Sequence, residues 1–196
     1  MSMRQLAVFC GSQKGGRPEY AAAAQQLGAL LARRDIGLVF GAGHIGLMGV
    51  LADAVLRGGG TAIGVIPQAL VDKELAHNGL TELRVVATMH ERKALMAELA
   101  DAFVALPGGF GTGDEWFEIL TWAQLGLHHK PIGLLNIRGF FDPLLGWIDH
   151  ALAEGFIKPK HRQLIRVAQT PEHLLAVLAH GPITPPQPKW IDESDL

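Results

Sequence analysis

Cysteine occurs once in the 196 residues, as Cys10, so no internal disulfide framework can form and a reducing compartment suits the chain. Charge is sparse and nearly balanced, with 18% charged residues and a formal net charge of −2. No basic stripe marks a nucleic-acid or anionic-membrane partner. No apolar run approaches the ~20 residues that span a bilayer. Residues 1–4 are too short for a targeting n-region, and the apolar run 6–10 is too short for a signal core. There is no His/Cys cluster with metal-ligand spacing, no GxxxxGK[ST] loop and no GxSxG elbow. We therefore expect a soluble, cytoplasmic protein with no metal, no membrane and no nucleic acid among its partners.

Hydrophobic residues are plentiful by contrast, at 48% with a mean hydropathy of +0.21, enough for a large core. Short apolar runs at 5–10, 36–40, 61–66, 82–87, 102–106, 131–136 and 163–168 predict strands, and most are apolar throughout. Between and after them, helical spacing predicts helices at 18–34, 47–57, 89–100, 116–125, 140–154 and 171–180, with about one further turn in the irregular stretch 68–80. Strands of this kind alternating with helices imply an α/β fold: a three-layer, doubly wound, Rossmann-like sheet of six or seven strands, mostly or fully parallel. Residues 1–180 form one domain in this reading, and the proline-rich, acidic stretch 181–196 is a tail. Right-handed crossovers gather the loops at 11–16, 41–46, 88–92 and 107–115 on the carboxyl rim of the sheet, where such folds bind ligands.

The run Leu106-Pro107-Gly108-Gly109-Phe110-Gly111-Thr112-Gly113-Asp114-Glu115 joins a buried strand to an amphipathic helix. Glycines let the backbone approach a ligand, and the free N–H groups of a first helical turn favour phosphate. Asp114 and Glu115 add nothing to a phosphate cradle, so a phosphate joined to a group that needs a carboxylate fits better. Glu115 also has a plainer explanation, a capping box with Thr112 as N-cap. Spacing alone does not separate cap from catalyst.

Gly41-Ala42-Gly43-His44-Ile45-Gly46 matches GxGxxG after a strand. The next strand ends Val65-Ile66-Pro67-Gln68 without the acid a dinucleotide site requires, so a turn admitting a mononucleotide or sugar phosphate is the better reading. His44 there is either a ligand contact or an idle loop residue. Gly11 and Ser12 are likewise either ligand contacts or a solvated turn. Met89-His90-Glu91-Arg92-Lys93 puts cations near a helix N-terminus against its dipole, which an anion held nearby would explain. Trp116, Phe117, Trp122, Leu125 and Leu127 cover more than one face, so this helix is either central or at a homodimer interface, with Trp147 joining it.

The pairing of Met89-His90-Glu91-Arg92-Lys93 with Pro107–Glu115 resembles the Lonely Guy (LOG) family of cytokinin riboside 5′-monophosphate phosphoribohydrolases, often labelled "possible lysine decarboxylase". Phe40–Gly43 followed by Gly46-Leu47-Met48-Gly49, and Leu120–Gly126, resemble it too. Gly113-Asp114 replaces a more usual Leu-Glu, and Gln13-Lys14 replaces small residues. The resemblance implies hydrolysis of the N-glycosidic bond of a nucleoside 5′-monophosphate, cytokinin riboside 5′-monophosphate or AMP, to free base and ribose 5-phosphate. It puts Arg92 and Glu115 on the catalytic pair and Gly108, Gly109, Gly111 and Thr112 on the phosphate turn. With the residue reading it nominates Gly11, Ser12, Gly43, Met89, Lys93 and Pro107 as further binding residues. It also implies a homodimer and no cofactor. The alternative is a non-catalytic carrier of a nucleotide or phosphorylated cofactor on the same fold. Lysine decarboxylation is rejected, because no lysine has a recognisable pyridoxal-phosphate context.

Overall fold

Successive side chains of a strand point to opposite faces, and in the inner strands of this protein both faces are apolar. The computed structural model describes residues 3–73 and 76–179, so the tail expected at 181–196 lies outside the described residues. Its strands are β1 (Gln5–Phe9), β2 (Gly37–Phe40), β3 (Ala62–Pro67), β4 (Glu82–Val86), β5 (Ala102–Ala105), β6 (Ile132–Leu135) and β7 (Ile165–Ala168). In β1, Leu6 and Val8 enter one core while Ala7 and Phe9 enter the other. All seven predicted strands are present, with ends shifted by a residue or two.

The seven strands form one sheet in the order β4-β3-β2-β1-β5-β6-β7, and every neighbouring pair is parallel. The chain winds outward from β1 to β4, then crosses back to place β5 on the other side of β1, with Leu6 opposite Ala102 and Phe9 opposite Ala105. The point of reversal lies between β1 and β5. Loops leaving the carboxyl ends of those two strands diverge there and open a crevice.

The helices are α1 (Pro18–Arg33), α2 (Gly46–Arg57), α3 (Gln68–Val71), α4 (Met89–Leu99), α5 (Phe110–Gln124), α6 (Asp142–Ala153), α7 (Pro159–Arg162) and α8 (Pro171–Ala179). Leu27 and Leu31 of α1, Leu51 and Val55 of α2, and Leu174 and Leu178 of α8 cover one face of the sheet. Met96 of α4, Trp116 and Ile119 of α5, and Ile148 of α6 cover the other. The one-turn α7 has no counterpart in the sequence reading.

Helix α5 departs most from expectation. It starts at Phe110, well before the predicted start at Trp116, with Gly109 as N-cap. Gly111 and Gly113 are poor helix formers, but Thr112, Glu115 and Trp116 are all buried, and that packing overrides intrinsic propensity. The capping box at Thr112 and Glu115 is therefore not formed: both residues lie inside the helix.

Candidate active site

At the point of reversal the glycine loops touch backbone to backbone. The Gly11 N–H donates to the Pro107 carbonyl at 3.1 Å, and the Leu47 N–H donates to the Gly11 carbonyl at 2.9 Å. Three loops far apart in the chain are thereby tied together. A Cβ on Gly108 would run into the Thr112 hydroxyl and come within 2.9 Å of the Gly11 nitrogen, so only glycine permits this approach. The first turn of α5 then projects its N–H groups into a cleft of about 300 Å³.

Of the residues nominated from sequence, Gly11, Ser12, Gly43, Met89, Arg92, Gly109, Gly111, Thr112 and Glu115 line this cleft. Pro107 and Gly108 are not in the lining; the Pro107 carbonyl accepts from the Gly11 N–H, and Gly108 packs against Gly11. Lys93 is not part of the lining. Its Nζ donates to Asp114 Oδ2 at 3.1 Å and lies 3.2 Å from Glu118 Oε1, so its charge is engaged across α4 and α5. Burial pulls the Lys93 ammonium down, but hydrogen bonds and charge from Asp114 and Glu118 outweigh it and raise the group overall. His44 is exposed and faces a different cavity, shared with Asp53 and His77.

Arg92 and Glu115 meet in the wall of the cleft. Arg92 Nη2 donates to Glu115 Oε1 at 2.8 Å, and the two side chains are only 10% and 9% exposed. Helix α4 brings Arg92 there because Thr88 starts it: the Thr88 hydroxyl accepts from the Glu91 N–H at 3.1 Å, and Glu91 Oε2 accepts from the Ala87 N–H at 2.9 Å. The capping interaction sought in α5 thus stands at the head of α4, which leaves Glu115 free to pair. Burial pushes the Glu115 carboxyl above its ordinary value, and the Arg92 guanidinium pulls it only part of the way back. Among the described residues, buried Arg92 Nε has no hydrogen-bond partner, and Nη1 has only the Met89 sulfur at 3.7 Å. A buried guanidinium with spare donors suits an oxygen-rich ligand.

Several lining residues escaped the sequence reading. Asp114 lines the cleft as well, although in sequence it is only an acid that a phosphate cradle does not need. Cys10, Ile66 and Leu70 sit at the ends of β1 and β3 and on α3, a region that looked irregular in sequence. Their common signal was position at the carboxyl ends of strands. Burial, then the charge of Glu115, push the Cys10 thiol far up, so it stays a neutral wall of the cleft.

A doubly wound parallel sheet with glycine turns converging on a buried Arg–Glu pair at its reversal point defines a Rossmann-like α/β protein with a crevice at that point. The profile described as "Possible lysine decarboxylase" matches residues 48–178. The chain is 51% identical over 175 residues to the cytokinin riboside 5′-monophosphate phosphoribohydrolase LOG of Oryza sativa subsp. japonica, covering 89% of this chain and 72% of that protein. It is 50% identical over 176 residues to the cytokinin riboside 5′-monophosphate phosphoribohydrolase of Rhodococcoides fascians, covering 89% of both. Among solved structures, the molybdenum cofactor binding protein of Rippkaea orientalis superposes with a TM-score of 0.69 at 21% identity, over 91% of this chain and 97% of that one, a likeness of fold alone. The chain belongs to the LOG family.

Proposed function

We propose that the protein hydrolyses the N-glycosidic bond of a nucleoside 5′-monophosphate, releasing the free base and ribose 5-phosphate. The observation that carries this reading is the buried Arg92–Glu115 pair beside the glycine turn at residues 108–111. The phosphoribohydrolase names of relatives near 50% identity support it. They favour an enzyme of this type over a lysine decarboxylase, and over a carrier, for which the 21% identity of the solved structure supplies no functional argument.

In this mechanism the α5 N-terminus and the turn of Gly109, Gly111 and Thr112, which Gly108 lets approach Gly11, hold the 5′-phosphate, and that binding energy positions the sugar. Met89, Gly11, Ser12 and Gly43 shape the remainder of the pocket. Cleavage of the C1′–N bond builds positive charge on the ribose, as in glycoside hydrolysis. Glu115 faces that charge or takes the proton of the attacking water, a task helped by a carboxyl whose affinity for protons is already raised. Arg92 stays charged throughout and orients Glu115 and the sugar or phosphate oxygens. Water supplies the hydroxyl at C1′, and the departing base ends with a proton. The substrate in this reading is N6-isoprenoid AMP, AMP or both, and Lys93 acts by holding α4 against α5.

We further propose a homodimer working in a reducing cytoplasm. Exposed Phe110, Phe117 and Trp147 support the dimer, and the single buried Cys10 suits the compartment. The test is base release from a panel of 5′-monophosphates. Glu115→Gln is expected to lower kcat by about 10²–10⁴-fold while nucleotide binding persists. Unchanged turnover in this variant would return Glu115 to a structural role.

A further inference from the structure

The first glycine of the second turn has a neighbour that its motif does not anticipate. Gly41 follows directly on β2 at the carboxyl rim, and its φ is not in the left-handed region, so the backbone there does not itself demand glycine. The following residue, Ala42, carries the strained φ of 62°. What a side chain at position 41 would meet is Arg92: an added Cβ would run into Nη2 and lie 2.9 Å from Cζ. The three nearest atoms to that Cβ all belong to the Arg92 guanidinium, and none is backbone. Nη2 is also the nitrogen that donates to Glu115.

We infer that Gly41 is a positioning residue for Arg92, its missing side chain forming the berth in which the guanidinium lies against the end of β2 while pairing with Glu115. Glycine in this turn thus makes room for the protein's own cation, and not only for a ligand. A long arginine side chain yields more readily than packed backbone. Alanine at position 41 therefore leaves the turn intact and swings the fork away from Glu115.

The inference rests on the hydrolase reading for its kinetic consequence, but its physical core is testable without turnover. Gly41→Ala, Arg92→Ala and the double variant are compared by thermal melts and by base release from AMP. With Arg92 in place, Gly41→Ala is expected to lower kcat by tenfold or more and to lower Tm. It is also expected to move the acid limb of the pH–rate profile upward, because Glu115 loses its neighbouring cation. In the Arg92→Ala background, the same substitution is expected to leave Tm unchanged, since nothing remains to collide. An equal loss in both backgrounds would overturn the inference and make Gly41 a requirement of the turn. No loss with Arg92 in place would overturn it by showing that the guanidinium has room to spare. Should the wild-type protein release no base at all, the hydrolase reading fails, and the coupling in Tm still decides the role of Gly41.

Discussion

Glu115 illustrates how one carboxylate can satisfy two demands. Removing it from water favours its protonated form, and a guanidinium 2.8 Å away opposes that. Because its affinity for protons is raised on folding, the native state binds the extra proton between the unfolded value, near 4.5, and the higher folded one. Its contribution to stability is therefore fully present below pH 4.5 and declines as pH rises through the folded value. The stability of wild type relative to Glu115→Gln is expected to fall as pH rises from 4.5 to neutrality, which melts across that range will read. Activity runs the other way, since the ionised form does the chemistry. Arg92→Ala is expected to reduce kcat by tenfold or more and to move the acid limb of the rate profile to higher pH.

At the scale of elements, the site depends on how α4 and α5 begin. Thr88 and Glu91 cap α4, and the Lys93 contacts to Asp114 and Glu118 hold that helix against α5. Capping residues of this type stabilise by about 0.5–2 kcal/mol, so Thr88→Ala is expected to destabilise by about 1 kcal/mol in urea unfolding. Turnover should also fall, because Arg92 is carried on the first turns of the same helix. In sequence, Thr112-Gly113-Asp114-Glu115 reads as a capping box, and Thr88-Met89-His90-Glu91 has the same spacing. Local pattern could not choose between them, because the choice is made by what the Glu side chain meets. Glu91 meets a free backbone N–H, whereas Glu115 meets Arg92 in a buried wall.

For the whole molecule, the inner strands are buried on both faces, but the layer of α4, α5 and α6 leaves large apolar side chains in water. Phe110 is 99% exposed and Trp147 57% exposed, and Trp147 packs edge-on against Phe117 with ring centroids 6.0 Å apart. Trp116, one residue earlier, is fully buried in the core. The wide apolar circumference of α5 thus divides between the core and an exposed outer face, the one the proposed dimer buries. Light scattering on a size-exclusion column is expected to report a dimer. Trp147→Glu is expected to shift it to monomer, since an unpaired charge buried at such a contact costs several kcal/mol. A monomeric wild-type protein would remove this proposal.

The amino-acid order by itself determined the class of fold, because burial on both faces writes itself into a strand as an unbroken apolar run and needs no partner to be read. It also determined that four glycine-bearing or cation-bearing loops would share one rim, because parallel strands joined by right-handed crossovers leave no other arrangement. The tertiary structure alone decided which side chains meet: that Arg92 crosses to Glu115 over Gly41, and that Lys93 turns to Asp114 and Glu118 instead of the cleft. Those outcomes depend on the rotation and starting residue of two helices packed on a sheet. One residue of difference in a helix start turns every later side chain by about 100°, and no local pattern carries that information.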